Sequence, residues 1–168
     1  FFTVSNILNV LRQVSIVAIV SVGMTLVILT AGIDLSVGSV LAFTGAVVAG
    51  VITAGVSWPI AILIALIVGT LMGAANGLII AKGKVPAFIA TLAVMVIARG
   101  MTLVYTEGKP IVISDEAFRF IGSGKILGIP FPVILMLVIY IIMHWVLKNT
   151  TFGRYVYAVG GNEEASRL

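Results

Sequence analysis

The sequence predicts an all-α protein that crosses a membrane several times as a polytopic transmembrane helical bundle. Hydrophobic residues make up 61% of the 168 residues, charged residues make up 10%, and the mean hydropathy is +1.25. A soluble domain carries about 25% charged residues, so this chain has too few polar groups to cover a surface in water. Its apolar runs are much longer than the roughly 10 residues of a barrel strand. In lipid such runs must be helices, because a helix satisfies its own backbone hydrogen bonds.

Five apolar runs are predicted to be the membrane spans, each about long enough to cross roughly 30 Å of hydrocarbon. They are Val14–Thr30, Leu35–Thr53, Pro59–Ala81, Ala87–Tyr105 and Pro130–Leu147. Phe1–Gln13 is mildly amphipathic and is expected to be an interfacial helix or the entry to the first span, with Ser5 as its N-cap. Trp58 and Pro59 fit a membrane interface and a first helical turn. Thr106–Ile129 mixes acidic and basic residues and is predicted to be a polar loop.

Positive charges near the span ends predict the orientation of the chain. They follow the third and fifth spans, at Lys82, Lys84, Lys148 and Arg154. The positive-inside rule places both segments in the cytoplasm, which is consistent because they are two spans apart. Five spans then put Phe1 outside and the carboxyl-terminal end inside.

Small residues recur every four positions along the third span. The row consists of Ala65, Gly69, Gly73, Gly77 and Ala81. This spacing gives a helix a smooth groove in which another helix can approach closely. Tight packing within one subunit is one interpretation, and a seam between subunits or a moving contact is the other. The second span repeats the pattern more weakly at Ala42, Ala46 and Gly50.

Several positions in or beside the spans are candidates for gating or for a solute pathway: Gly32, Asp34, Ser36, Asn76 and Arg99. A carboxylate at the edge of a span is costly in hydrocarbon. Asp34 is therefore expected to N-cap the following helix, with Gly32 allowing the turn, or to act directly in gating. Arg99 lies about 18 Å along its span, so an internal partner or a water-filled route is expected. Asp34 could reach Arg99 only if the turn is recessed into the membrane, and Asn76 is expected to bond between helices.

The end of the chain, Phe152–Leu168, is polar and punctuated by glycine. Gly160-Gly161 predicts a turn, and Asn162 then occupies an N-cap position. Glu163 and Glu164 would fall in the first turn of a new helix, where carboxylates favour the positive end of the helix dipole. We therefore expect a short helix just outside the membrane that a cytoplasmic partner can move.

The sequence excludes several classes of function. It contains one His, no Cys, no phosphate-binding loop of the GxxxxGK[ST] type and no HExxH motif, so no enzyme site is predicted. The net charge of +4 is too small and scattered to indicate nucleic-acid binding. Any ATP that drives this protein must be bound by another chain, and no cofactor is expected in this one.

Three segments resemble the permease subunits of bacterial ATP-binding-cassette importers for sugars. They are VGMTLVILTAGIDLSVGSVLA (Val22–Ala42), VPAFIATLAVMVIARGMTLVYTEGKPI (Val85–Ile111) and GRYVYAVGGNEEASRL (Gly153–Leu168). The resemblance covers essentially the whole sequence and implies that the second half of such a permease lies beyond it. Residues 1–168 are then one transmembrane permease domain truncated at both ends, consistent with a start without Met.

The resemblance implies the partners and the mechanism. Two cassette ATPases, which bind ATP and Mg²⁺, are expected below a pair of permease copies in the bacterial inner membrane, and a periplasmic sugar-binding protein above them. Ribose is the expected substrate, carried by alternating access. Residues 149–168 then correspond to the cytoplasmic coupling segment that docks on the ATPase. The positions that match it are Gly153, Arg154, Gly160, Gly161, Asn162, Glu163, Glu164, Ala165 and Arg167.

Two alternatives stay open at this point. A permease of a related importer could carry another sugar or branched-chain amino acids. A channel or secondary transporter would need no ATPase, but such a protein is expected to place acidic residues within its spans, and these are scarce here.

Overall fold

A computed structural model gives the fold, and it describes residues 2–162 and 166. In chain order the elements are α1 (Val4–Leu29), α2 (Val37–Thr53), α3 (Trp58–Ala81), α4 (Ala87–Thr106), α5 (Glu116–Ser123), β1 (Lys125–Ile126), β2 (Ile129–Pro130), α6 (Phe131–Asn149) and α7 (Thr151–Gly161). The chain forms two compact units. The first combines Phe1–Gly32 with Arg119–Leu168, and the second is Ile33–Phe118.

The prediction of a polytopic all-α bundle is confirmed. Among the described residues, α1, α3, α4 and α6 are long and apolar enough to cross a membrane, with 26, 24, 20 and 19 residues. The second predicted span forms the 17-residue apolar helix α2, at the lower limit of the roughly 17–25 residues of a transmembrane helix. The boundaries of the last three predicted spans agree with the structure to within two residues. Pro59 lies in the first turn of α3, as expected.

The first helix is longer than its apolar run. It begins at Val4, so residues 4–13 are the entry to the span and not a separate interfacial helix. The N-cap is Thr3, not Ser5, and its hydroxyl accepts a hydrogen bond from the Asn6 backbone N–H at 3.3 Å. The helix ends where Ala31 adopts a positive φ of 56°.

In the first unit α1 packs against α6. The Tyr140 hydroxyl donates to the Ala18 carbonyl oxygen at 3.2 Å and lies 3.2 Å from the Ser21 hydroxyl. Val22 and Val133 are buried apolar residues of the two helices. Polar side chains therefore join the two helices beside apolar contacts.

The segment predicted to be a polar loop contains regular structure. Glu116–Ser123 forms α5. Strand β1 pairs antiparallel with β2, with Lys125 opposite Pro130. Leu127 and Gly128 connect the strands with φ of 51° and 84°. Two successive positive φ values define a tight hairpin turn. Gly128 is a typical residue for such a turn, but Leu127 is not, so the sequence did not indicate it.

In the second unit α2 packs against both α3 and α4. Several buried apolar residues of these three helices are alanines, whose small side chains let the backbones approach: Ala49, Ala61, Ala90 and Ala98. Gly50 of α2 faces the ring of Tyr105 of α4, and a Cβ built on Gly50 would lie 2.8 Å from the ring carbon Cζ. The Tyr105 ring thus occupies the space that a side chain at position 50 would need.

We expect Gly50→Ala to be about 1 kcal/mol less favourable than the same change at Gly45, because alanine favours the helix at both positions but the new methyl group at position 50 displaces the end of the Tyr105 side chain. In a Tyr105→Ala background the same change should not destabilise. Thermal unfolding of the purified protein in detergent measures both effects. Gly45→Ala is the matched control, because a Cβ built there meets none of the described residues beyond its own stretch of helix within 4 Å. Equal changes in stability in both glycine variants would contradict the contact.

Candidate functional site

The turn before α2 is held by its own side chains. Asp34 Oδ1 accepts hydrogen bonds from the Ser36 backbone N–H at 2.7 Å and from the Ser36 hydroxyl at 2.6 Å. Ser36, not Asp34, is the N-cap residue, and its side chain makes no capping bond. The prediction that Asp34 would N-cap α2 is therefore wrong by two residues, because its carboxylate closes a tight turn just before the helix.

Two other helices bond to this turn well inside their ends. Asn76 Nδ2 of α3 donates to the Ser36 hydroxyl oxygen at 3.1 Å. The Thr91 hydroxyl of α4 donates to the Ala87 carbonyl oxygen of its own helix at 2.8 Å and makes a longer, shared contact of 3.3 Å with the Ile33 carbonyl oxygen. Asn76 precedes the end of α3 by five residues, and Thr91 is the fifth residue of α4. Since each residue adds about 1.5 Å, the turn is recessed by roughly 6–8 Å from those helix ends.

The bonded groups are shielded from the surroundings. Ser36 is 1% exposed, Thr91 2% and Asn76 6%. The expectation that Asn76 bonds between helices is confirmed. Asn76 Oδ1, however, accepts no hydrogen bond from any residue that the structure describes. A buried acceptor in this condition costs about 1–3 kcal/mol, so any donor that reaches it would gain a strong contact.

Arg99 lies in a groove between α2 and α4. The groove has a volume of about 380 Å³ and is also lined by Leu35, Ser39, Ala42, Met95 and Thr102. Arg99 is exposed and forms no ion pair within the described part of the chain. The turn before α2 is recessed, which was the condition for a contact between Asp34 and Arg99, and Leu35 of this turn lines the same groove. The Asp34 carboxylate, however, bonds to Ser36. An internal partner and a water-filled route were the two expectations for Arg99. The structure shows an open groove and no ion-pair partner among the described residues.

Gly32 ends α1 and lies in the first unit. Its N–H donates to the Val27 carbonyl oxygen at 2.8 Å, and the Ala31 N–H donates to Ile28 at 2.9 Å. A Cβ built on Gly32 would lie 3.1 Å from Val27 Cγ1. The residue therefore closes the carboxyl-terminal cap of α1, a structural role.

The small-residue row of α3 packs over only part of its length. A Cβ on Gly69 would lie 3.5 Å from the Thr44 side chain of α2, whereas Cβ atoms built on Gly73 and Gly77 would meet no other described part of the chain within 4 Å. Ala65 is half-buried and Ala81 is exposed. Close packing within the unit thus accounts for the first part of the row and leaves the rest open.

Thr150 joins α6 directly to α7. It is the C-cap residue of α6 and the N-cap residue of α7, and its hydroxyl oxygen accepts a hydrogen bond from the Gly153 N–H at 3.3 Å. The same hydroxyl donates to the Val146 carbonyl oxygen at 2.7 Å. Gly153 is buried, and a Cβ there would overlap the backbone of Leu147. The corner therefore requires glycine at position 153.

The far end of α7 contacts the end of α1. The prediction of a turn at Gly160-Gly161 is wrong, since both residues are helical and Asn162 is the C-cap of α7. Position 160 requires glycine for a packing reason: a Cβ there would overlap the Leu29 carbonyl oxygen. No described residue beyond its own stretch of helix lies within 4 Å of a Cβ built on Gly161, and Arg154 is exposed. The candidate residues Glu163, Glu164, Ala165 and Arg167 lie outside the described residues.

Sequence reasoning missed two residues of these sites. Thr91 passed as one polar residue of an apolar run, and only its partner 58 positions away identifies its role. Thr150 could have been found, because a Thr after Asn149 and before a new apolar pattern is a typical N-cap. No group of three or more His, Cys, Asp or Glu suited to a metal ion occurs among the described residues.

Comparison with known proteins identifies the family. The model of the family described as branched-chain amino acid transport system / permease component matches residues 6–168, and the chain belongs to this family. The ribose import permease protein RbsC of Haemophilus influenzae is 54% identical over 100% of the chain and 53% of its own length. RbsC of Bacillus subtilis is 51% identical over 97% of the chain and 51% of its own length. The galactofuranose transporter permease protein YtfT of Escherichia coli is 41% identical over 95% and 47%. The resemblance to importer permeases is confirmed.

The chain spans about half the length of the curated relatives it matches. No solved structure matches it. Family membership and the apolar helices together identify a multi-pass membrane protein of this permease family.

Replacing Asp34 by Ala should lower the free energy of unfolding by about 1–3 kcal/mol, because the buried Ser36 N–H and hydroxyl lose their acceptor. Asp34→Asn keeps a side-chain oxygen at the same position and should cost much less. Thermal unfolding in detergent compares the two variants. If Asn destabilises as strongly as Ala, the carboxylate acts through its charge and not through this turn.

Proposed function

We propose that the chain is part of the permease subunit that imports ribose across the bacterial inner membrane. The observation that carries this proposal is the pattern of identities. Ribose import permeases are 51% and 54% identical to the chain, whereas a galactofuranose permease is 41% and an L-arabinose permease of Azospirillum brasilense is 36% identical. A neutral sugar also suits a protein whose buried polar groups are hydroxyls and amides.

The family description names branched-chain amino acids, and these form the second candidate substrate class. A zwitterion needs charged or strongly polar partners for both its amino and its carboxylate group. Arg99 lines the groove in the second unit without an ion-pair partner among the described residues, and Asp34 is engaged with Ser36. This arrangement offers one charge where a zwitterion needs two, which favours the sugar. A channel or secondary transporter without an ATPase has less support, since the relatives are permease components.

The proposed assembly follows from the family. Two cassette ATPases would bind ATP and Mg²⁺, a periplasmic sugar-binding protein would deliver the solute, and a second permease copy would complete the membrane part. The positive charges at Lys82, Lys84 and Lys148 support a cytoplasmic location for the segment after α6. Residues 149–168 are then the coupling segment, and the amino-terminal end of the chain is periplasmic.

The geometry of α7 suits a surface that an ATPase pushes. Phe152, Tyr155 and Tyr157 are 51–69% exposed, and Arg154 is exposed beside them. Aromatic residues and arginine are enriched at protein interfaces. Since Gly153 and Gly160 fix the helix to neighbouring backbone, this exposed surface has a defined orientation within its unit.

The substrate proposal is tested with the full-length permease, its ATPase and its binding protein reconstituted in proteoliposomes. We expect uptake of labelled ribose that requires ATP, and little uptake of leucine. Uptake of leucine and not ribose would assign the protein to the second candidate class. Ribose uptake that proceeds without ATP would instead support a secondary transporter.

Reversing the charge at Arg154 tests the coupling proposal. Arg154→Glu should leave membrane insertion intact and lower ATP-dependent ribose uptake about tenfold per ATP hydrolysed, since one charged contact of the interface is lost. Lys109→Glu is the matched control, because Lys109 is exposed and lies on the opposite side in the proposed orientation. Normal coupling in the Arg154 variant would remove α7 from the interface, and uncoupling by Lys109→Glu would reverse the orientation.

A further inference from the structure

We propose that the groove between α2 and α4 is a solute-binding subsite of the translocation pathway, with Arg99, Ser39 and Thr102 as its hydrogen-bonding residues. The inference rests on the proposed function, because it takes a neutral monosaccharide as the solute. It adds the place in this chain where the sugar is held.

The depth of the groove is the first argument. Arg99 is the thirteenth residue of the 20-residue helix α4, about 18 Å from its start. Leu35 and Ser39 line the same groove, although they lie just before and within the first turn of α2. Helix α2 therefore begins at membrane depth, after a non-helical turn. Irregular backbone at this depth is tolerated where it is buried in protein or lines a cavity, and transporters place solute sites at such interrupted helices.

The chemistry of the polar groups is the second argument. The Arg99 guanidinium can only donate hydrogen bonds. The Thr102 hydroxyl already donates to the Ala98 carbonyl oxygen at 2.8 Å, so its oxygen is available to accept. A ligand that bridges the two must both accept and donate. A sugar hydroxyl does both, whereas a phosphate or carboxylate can only accept when it is ionised.

The size and the remaining lining are the third argument. A volume of about 380 Å³ lies within the range of roughly 300–1,000 Å³ of small-molecule sites. Leu35, Ala42 and Met95 supply apolar surface beside the polar groups. This combination suits a ring with C–H faces and several hydroxyls. Arg99 is also unpaired by any carboxylate of the described residues, so its donors are free for a ligand.

Cysteine labelling in the assembled importer tests the site directly, because the chain itself contains no cysteine. Ser39→Cys in the full-length permease should react with a small, membrane-impermeant thiol reagent. Ribose, supplied with the binding protein and ATP, should slow this reaction at least about threefold. Ser57→Cys is the control: Ser57 is exposed in the turn before α3 and does not line the groove, so its labelling should not depend on ribose.

Uptake measurements supply a second readout. Arg99→Leu should reduce ribose uptake at sub-saturating concentration about tenfold, and Arg99→Lys, which keeps a donor, should lose less. Arg12→Gln removes a cation from α1 and should transport normally.

The outcomes separate this inference from the function on which it rests. If the wild-type importer carries ribose but labelling at position 39 is absent or insensitive to ribose, the subsite is wrong and the function stands. Normal uptake by Arg99→Leu would also overturn the subsite. If the wild-type importer carries no ribose or other monosaccharide, both proposals fail.

Discussion

The pairing of backbone polar groups in the absence of water is the constraint on which the second unit depends. Helices meet it internally, but the turn before α2 cannot. Ser36 resolves the problem as a junction: its N–H and hydroxyl bond to Asp34, and its oxygen accepts from Asn76. The Thr91 hydroxyl of a third helix adds a longer contact of 3.3 Å to the Ile33 carbonyl oxygen. Because these bonds fix where α2 begins relative to α3 and α4, they also create the groove that contains Arg99.

Glycine serves two different purposes in this chain, and the spacing in the sequence does not distinguish them. Gly50 and Gly153 leave room for a tyrosine ring and for neighbouring backbone, and Gly160 does the same at the end of α1. Gly73 and Gly77 continue a regular row on α3, and yet Cβ atoms built there would meet none of the described residues beyond their own stretch of helix within 4 Å. A periodic pattern therefore locates a smooth helix face, and only the fold shows which part of that face is occupied.

Much of the fold could be predicted because hydropathy is a local property. The third, fourth and fifth spans were located almost to the residue. The recessed turn was not predictable in the same way, since Asn76 and Ser36 are 40 positions apart and nothing local to either residue indicates the other. The prediction for Gly160 failed for a related reason: a Gly-Gly pair signals a turn locally, but Gly160 lies within α7 and leaves room for the backbone of Leu29, far away in the sequence. For the candidate site, residue types were foreseen and their partners were not.

Thr150 has a mechanical consequence. A single residue separates α6 from α7, and its hydroxyl bonds to both helices, so no flexible linker is present at the corner. The other end of α7 rests against the backbone of Leu29 through Gly160. Helix α7 is thus held at both ends, by α6 and by α1. No loop lies between α6 and α7 to absorb a displacement of α7. Any such displacement would therefore be transmitted to both α6 and α1.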